Sequence, residues 1–118
     1  MKRDMELIRL LLLKLEETES FAIISSSFIE GYDDSTVLYH FDLLIDGGYA
    51  IGEVQNDNTG GFAQFEKLTW KGHEFLDAAR EPTRWGQAMS IAKTAGGMTL
   101  PVLQNLLGQL LSRSVGLS

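Results

Sequence analysis

Two strand-like segments facing each other across a turn cluster, with helical patterns on both sides, constrain this chain most. Tyr49-Ala50-Ile51-Gly52-Glu53-Val54 reads as a strand, and Phe62-Ala63-Gln64-Phe65-Glu66-Lys67-Leu68 alternates apolar and polar residues as a returning strand. Between them lies Asn56-Asp57-Asn58-Thr59-Gly60-Gly61, whose residues tolerate positive φ and favour a turn. Together they predict a β-hairpin. A hairpin set among helices makes the fold class α+β.

The helical patterns are specific about their faces. Residues 4–17 place Leu7, Ile8, Leu11, Leu12 and Leu15 on one apolar arc, with Asp4 as the cap. Leu10 and Leu13 fall off that arc and mark either broader burial or a partner surface. Phe21-Ala22-Ile23-Ile24 reads as a short strand and Phe28-Ile29-Glu30-Gly31-Tyr32 as a second one. Residues 35–47 put Val37, Phe41, Leu44, Ile45 and Gly48 on an inward stripe, capped by Asp34 or Ser35 and stopped by Gly47-Gly48. Thr69 caps a helix from Trp70 to about Arg80, with Trp70, Leu76 and Ala79 inward and His73 or Glu74 edge-on. Pro82 ends that helix or starts the next, in which Trp85, Met89 and Ala92 share a stripe up to Gly96-Gly97. Thr99 and Pro101 open a last helix, where Leu103, Leu106, Leu107, Leu110 and Leu111 share an arc.

The order helix, short strand, helix, hairpin, helix is that of a winged helix without a clear second helix. The string from Ser35-Thr36-Val37 through Tyr39-His40-Phe41 to Asp46-Gly47-Gly48-Tyr49 resembles the recognition helix of ArsR-like and MarR-like repressors. Leu68-Thr69-Trp70-Lys71-Gly72-His73-Glu74-Phe75-Leu76 resembles the post-wing string of the same superfamily, in which the Thr caps a helix and the Gly permits close packing. The opening Met1-Lys2-Arg3-Asp4-Met5, the middle Glu30-Gly31-Tyr32 with Leu44-Ile45-Asp46-Gly47-Gly48, and Leu68 to Ala78 look like an uncharacterised bacterial and phage-associated family, a domain of unknown function. That resemblance implies a winged-helix-turn-helix-like domain and a bacterial or prophage origin. It brings no activity and no functional residues. The expected organisation is a winged-helix domain over residues 1–80 and a helical extension over 81–118.

Composition narrows the function. The chain has 118 residues, 44% hydrophobic and 22% charged, as in an ordinary globular domain. It has no Cys, which excludes a disulfide scaffold, a thiolate zinc site and a cysteine nucleophile, and makes the cytoplasm the expected compartment. No apolar run approaches a membrane span, and the acidic, helix-forming start does not read as a signal peptide. His40 and His73 stand alone, without metal-ligand spacing, and the Asn56 loop fails a calcium register because Lys67 falls where a bidentate Glu belongs. The Gly pairs form no phosphate cradle. The reading is non-enzymatic, with no cofactor and no metal.

The charge is uneven. Residues 15–66 carry eleven acids and not one Lys or Arg, whereas residues 82–118 carry Arg84, Lys93 and Arg113 and no acid. On the helix over 35–47, the expected recognition face is Ser35, Tyr39, His40, Asp42 and Leu43, with Leu38 and Asp46 also exposed. Repressors place bases there, and the wing offers only Lys67. Two functions of different classes follow: a bacterial or prophage transcriptional regulator that binds DNA, or a protein-interaction module whose acidic helix and wing keep it off phosphate. A basic face for DNA would have to come from Lys2, Arg3, Arg9 and Lys14 or from the C-terminal half. The arc Leu103, Leu106, Leu107, Leu110 and Leu111 either packs in cis or forms a homodimer seam.

Overall fold

A computed structural model describes residues 1–57 and 60–114; Asn58-Thr59, the centre of the expected turn cluster, lies outside the described residues. Among those described, five helices accompany one three-stranded antiparallel sheet, an α+β arrangement compatible with a winged-helix-like layout. The chain divides into two compact units, Met1–His73 and Glu74–Ser118.

The first unit opens with helix α1 (Met5–Glu16). The Asp4 carboxylate accepts from the N–H groups of Glu6 and Leu7 at 3.0 and 3.2 Å, satisfying donors that the first turn leaves without partners. Leu7, Ile8, Leu11, Leu12 and Leu15 are buried as their spacing requires. Strand β1 (Ala22–Ile24) follows, then helix α2 (Asp34–Asp46), and then the hairpin strands β2 (Ala50–Asp57) and β3 (Gly60–Leu68). Both strands reach further into the expected turn than the sequence pattern shows. The strand order is β1-β3-β2, with Ile24 and Val54 both paired with Ala63. Ile24, Ala50, Ala63, Phe65 and Leu68 are buried on one face, and the Phe41 ring of α2 meets Phe65 edge-on at 6.2 Å.

Residues 28–32 do not form the second short strand. They lie in a segment of turns running from Ser25 to Asp33. Ser27 sits at φ 57, outside the extended region, and its N–H donates to the Asp34 carboxylate at 2.8 Å. Short polar side chains here offer the backbone partners that a strand or helix would otherwise supply. The cap of α2 is Asp33, before both of the expected positions, Asp34 and Ser35. Its carboxylate accepts from the Thr36 N–H at 2.8 Å and the Ser35 hydroxyl at 3.0 Å.

The exit from α2 shows why the Leu-Thr-x-x-Gly string works. Gly48 takes the left-handed φ of 83°, which a residue with a Cβ rarely adopts. The Thr69 hydroxyl donates to the Gly48 carbonyl at 2.7 Å and accepts from the Gly72 N–H at 3.0 Å. A Cβ on Gly72 would collide with the Tyr49 carbonyl, so the glycine is what lets helix α3 (Trp70–Ala79) start against the hairpin base.

Trp70 is not on the inward side of α3; it is 82% exposed. The buried stripe is Gly72, Phe75, Leu76 and Ala79, spaced three, four and seven residues from the first. In the second unit, helix α4 (Pro82–Ala95) has Pro82 in its first turn and Glu81 as its cap, with the carboxylate accepting from the Thr83 and Arg84 N–H groups. Its inward residues are Trp85, Ala88 and Ala92; Met89 is only half-buried. The Trp85 and Phe75 rings meet at 90° with centroids 6.2 Å apart. Helix α5 (Leu100–Ser114) packs on α4 and buries Leu100, Leu103 and Leu107.

Candidate functional site

Helix α2 has one face in the core and one in solvent. Val37, His40, Phe41 and Leu44 are buried; Leu38, Leu43 and Ile45 are half-buried; Asp34, Ser35, Tyr39, Asp42 and Asp46 are exposed. Of the expected recognition face, Ser35, Tyr39 and Asp42 reach solvent, and Leu43 reaches it in part. Ile45 and Gly48 depart from the expected inward stripe, since Ile45 is half-buried and Gly48 exposed.

His40 is the clear departure. The pattern places it among exposed residues, yet its side chain is fully buried. The backbone N–H of Asp4 donates to its Nε2 at 2.8 Å, so Nδ1 carries the proton and donates to the Thr36 carbonyl at 2.8 Å. Both ring nitrogens are satisfied, which is what allows a polar ring into the core. His40 therefore ties the cap of α1 to the middle of α2 and is closed to any ligand. His73, by contrast, is exposed.

The open face of α2 is negative. The helix carries Asp34, Asp42 and Asp46 and no Lys or Arg. Hydrogen bonds from Thr36 first, and then from Ser35, hold the Asp33 carboxyl below the usual aspartate range, so this cap stays ionised in neutral solution. Asp46 sits in the last turn, where the helix dipole favours a cation. That cation comes from another element: Lys71 Nζ donates to the Gly47 carbonyl at 3.1 Å and lies 4.4 Å from the centre of the Tyr49 ring. Tyr32 holds its phenol proton above the ordinary range, mainly through burial and then through Asp4 and Glu6.

The expected basic face along α1 loses a member. Arg9 is buried and pairs with Glu6 at 3.7 Å, while Lys14 reaches Glu17 at 4.0 Å and lies over the Phe28 ring at 5.8 Å. In the second unit, Arg80 pairs with Asp77 at 2.8 Å and Arg84 with Glu81 at 3.9 Å.

Among the described residues, three groups of apolar side chains off the core bear on binding. Leu10 and Leu13 are half-buried along a shallow groove with Phe28 and Ile29, whose charged neighbours are Lys14, Glu17 and Glu30. In α5, Leu103 and Leu107 are buried, leaving half-buried Leu106 and Leu110 and exposed Leu111 as the accessible part of the expected partner arc. The third lies at a cleft of about 200 Å³ in the first unit, bounded by Ile23, Ile24, Val37, Leu38 and Phe62 with Ser25, Ser26 and Asp34 at its polar side. The sequence pattern does not reveal this cleft, because its walls come from β1, α2 and β3. Its one sequence signal is the unbroken apolar run Phe21–Ile24.

Among the described residues, no group of three or more His, Asp or Glu side chains is placed to hold a metal ion. No helix among them is long and apolar enough to cross a membrane.

These features define an α+β fold compatible with a winged-helix-like layout, with an acidic, half-exposed helix before its hairpin. The chain belongs to the family described as hypothetical protein (DUF2513), which it matches over residues 2–99, up to the residue before α5. It is also 36% identical over 96 residues to an "uncharacterized protein" of Haemophilus influenzae (strain ATCC 51907 / DSM 11121 / KW20 / Rd), covering 80% of each chain. No solved structure matches it significantly.

Proposed function

We propose that this protein is a non-enzymatic binding module on a winged-helix scaffold, and that its ligand is another protein rather than DNA. The supporting observation is α2, whose sequence resembles the reading helix of winged-helix repressors. Its solvent face displays Asp34, Asp42 and Asp46 without one Lys or Arg. Non-specific affinity for DNA comes from cations that replace the counterions of phosphates, and carboxylates in that position subtract from it. The hairpin adds Lys67 alone, and Lys71 is engaged with the end of α2. The turns at 25–33 also stand in place of the helix that crosses the DNA backbone in helix-turn-helix proteins.

Fluorescence anisotropy with a mixed-sequence DNA duplex tests this reading. The expected result is no binding at low salt. Binding that weakens with salt at a slope of about 0.9 per phosphate engaged would restore the transcriptional-regulator reading.

A further inference from the structure

We infer that the cleft between β1 and α2 receives an extended, basic segment of a partner protein, which adds as a strand to the free edge of β1. This rests on the protein-binding reading above and names its surface.

The first observation is the edge itself. β1 is the outer strand of the sheet and pairs only with β3 among the described residues. Sheet edges in soluble proteins are usually guarded by a charge, a proline or a bulge, because an open edge pairs with any passing strand. β1 is short, three residues, but with the residue before it, Phe21-Ala22-Ile23-Ile24, it carries none of these. Two of the four side chains lie open to water, Phe21 at 67% and Ile23 at 65%. Phe21 also holds a left-handed φ of 63°, a costly conformation for a bulky residue, while its ring is spent on no buried contact.

The second observation is the cleft that the end of β1 shares with the start of α2 and with Gly61 and Phe62 of β3. Its apolar walls are Ile23, Ile24, Val37, Leu38 and Phe62, the last 43% exposed. At about 200 Å³ it is smaller than the ~300–1,000 Å³ of small-molecule sites, and it suits the aliphatic side chain of an added strand. Strand addition works this way: main-chain hydrogen bonds along the edge supply affinity, and a pocket for alternate side chains supplies selectivity.

Charge chooses the occupant. None of the residues that line the cleft is a Lys or Arg. Asp34 lines the cleft directly. A segment alternating aliphatic and basic residues presents its apolar side to the cleft and its cations to this surround. Neither the groove of mixed charge at Leu10 and Leu13 nor the uncharged depression at Ile91 and Leu110 selects an occupant in this way.

The test uses the full chain and two synthetic peptides, one alternating valine with lysine and one alternating valine with glutamate. Amide chemical shifts of the unaltered protein locate binding, and anisotropy of labelled peptide measures it. The lysine peptide is expected to bind at least about tenfold more tightly than the glutamate peptide, and to weaken as salt screens the carboxylates. Its shifts should fall on Ala22–Ser26, Asp34–Leu38 and Phe62. Ile23→Lys, at an exposed position, should remove binding while leaving the circular dichroism spectrum unchanged. Equal binding of the two peptides, binding of neither, or shifts confined to α4 and α5 overturns the assignment of this cleft; in the last case protein binding itself survives. Salt-sensitive binding of a DNA duplex that displaces the peptide overturns both readings.

Discussion

Helices α1 and α2 are close in length and belong to the same unit, yet they use their surfaces differently. α1 buries seven of its twelve residues, and even Arg9 is drawn in beside Glu6. α2 buries four of its thirteen. The leucines of α1 lie on nearly every side of it, as in a helix around which a core is built. α2 lends the core one stripe, Val37, His40, Phe41 and Leu44, keeps Thr36, Leu38, Leu43 and Ile45 half-buried, and gives its fully exposed positions to carboxylates, Ser35 and Tyr39. The charges of α2 are therefore not dictated by packing. A surface free to carry any polar residue carries only one sign, and that points to what the helix meets in solution.

This contrast can be broken most easily in the core. Leu12→Ala in α1 removes a fully buried side chain and should cost about 2–5 kcal/mol, whereas Leu43→Ala, half-buried on α2, should cost clearly less. Urea denaturation of both variants measures the difference, and equal losses would mean that α2 is as much a core helix as α1. The next effect belongs to the residue that joins the two helices. His40→Ala leaves the Asp4 N–H and the Thr36 carbonyl without their ring partner, at a cost of about 1–3 kcal/mol, while His73→Ala at an exposed site should lie within about 0.5 kcal/mol of the parent.

The cap of α2 gives a pH dependence whose sign is fixed. The Asp33 carboxyl titrates below its ordinary value in the folded state, so its stabilising contribution is complete above the usual aspartate range, near pH ~4, and is lost as pH falls through the lowered value. Glu81, held down by the Arg84 and Thr83 N–H groups, acts in the same direction at the start of α4. Asp33→Asn keeps the hydrogen-bond acceptor and loses the titration. Its melting temperature should stay close to the parent at pH 7 and fall less steeply between about pH 4 and pH 2. A parallel fall would remove Asp33 from this account.

Much of the fold was legible from the order of residues. The arc of α1, the Asp4 cap, the hairpin strands and the Gly48 stop all depend on neighbours within a turn or a strand pair, which is the range over which periodicity and turn chemistry act. The departures came from partners distant in the chain. His40 reads as polar and therefore outward, until the Asp4 N–H, 36 residues away, arrives to satisfy its ring. Trp70 reads as apolar and therefore inward, but the stripe of α3 is set by Gly72, which must pass close to the Tyr49 carbonyl. Phe28–Tyr32 has a strand's composition, yet Asp34 draws the Ser27 N–H into a turn. The candidate site divides in the same way. The one-signed charge of α2 is visible in the sequence, while the cleft beside β1 exists only once β1, α2 and β3 are brought together.

On this reading, charge on α2 and not the layout of the domain decides what this protein binds. The most direct measurement compares the unaltered chain with the double variant Asp42→Lys, Asp46→Lys, titrated into a labelled DNA duplex at low salt and then along a salt series. Both substitutions lie at exposed positions and should leave the fold intact. The unaltered chain should not bind, and the variant should gain binding that weakens with salt. Binding of equal strength and equal salt slope by both proteins would contradict it.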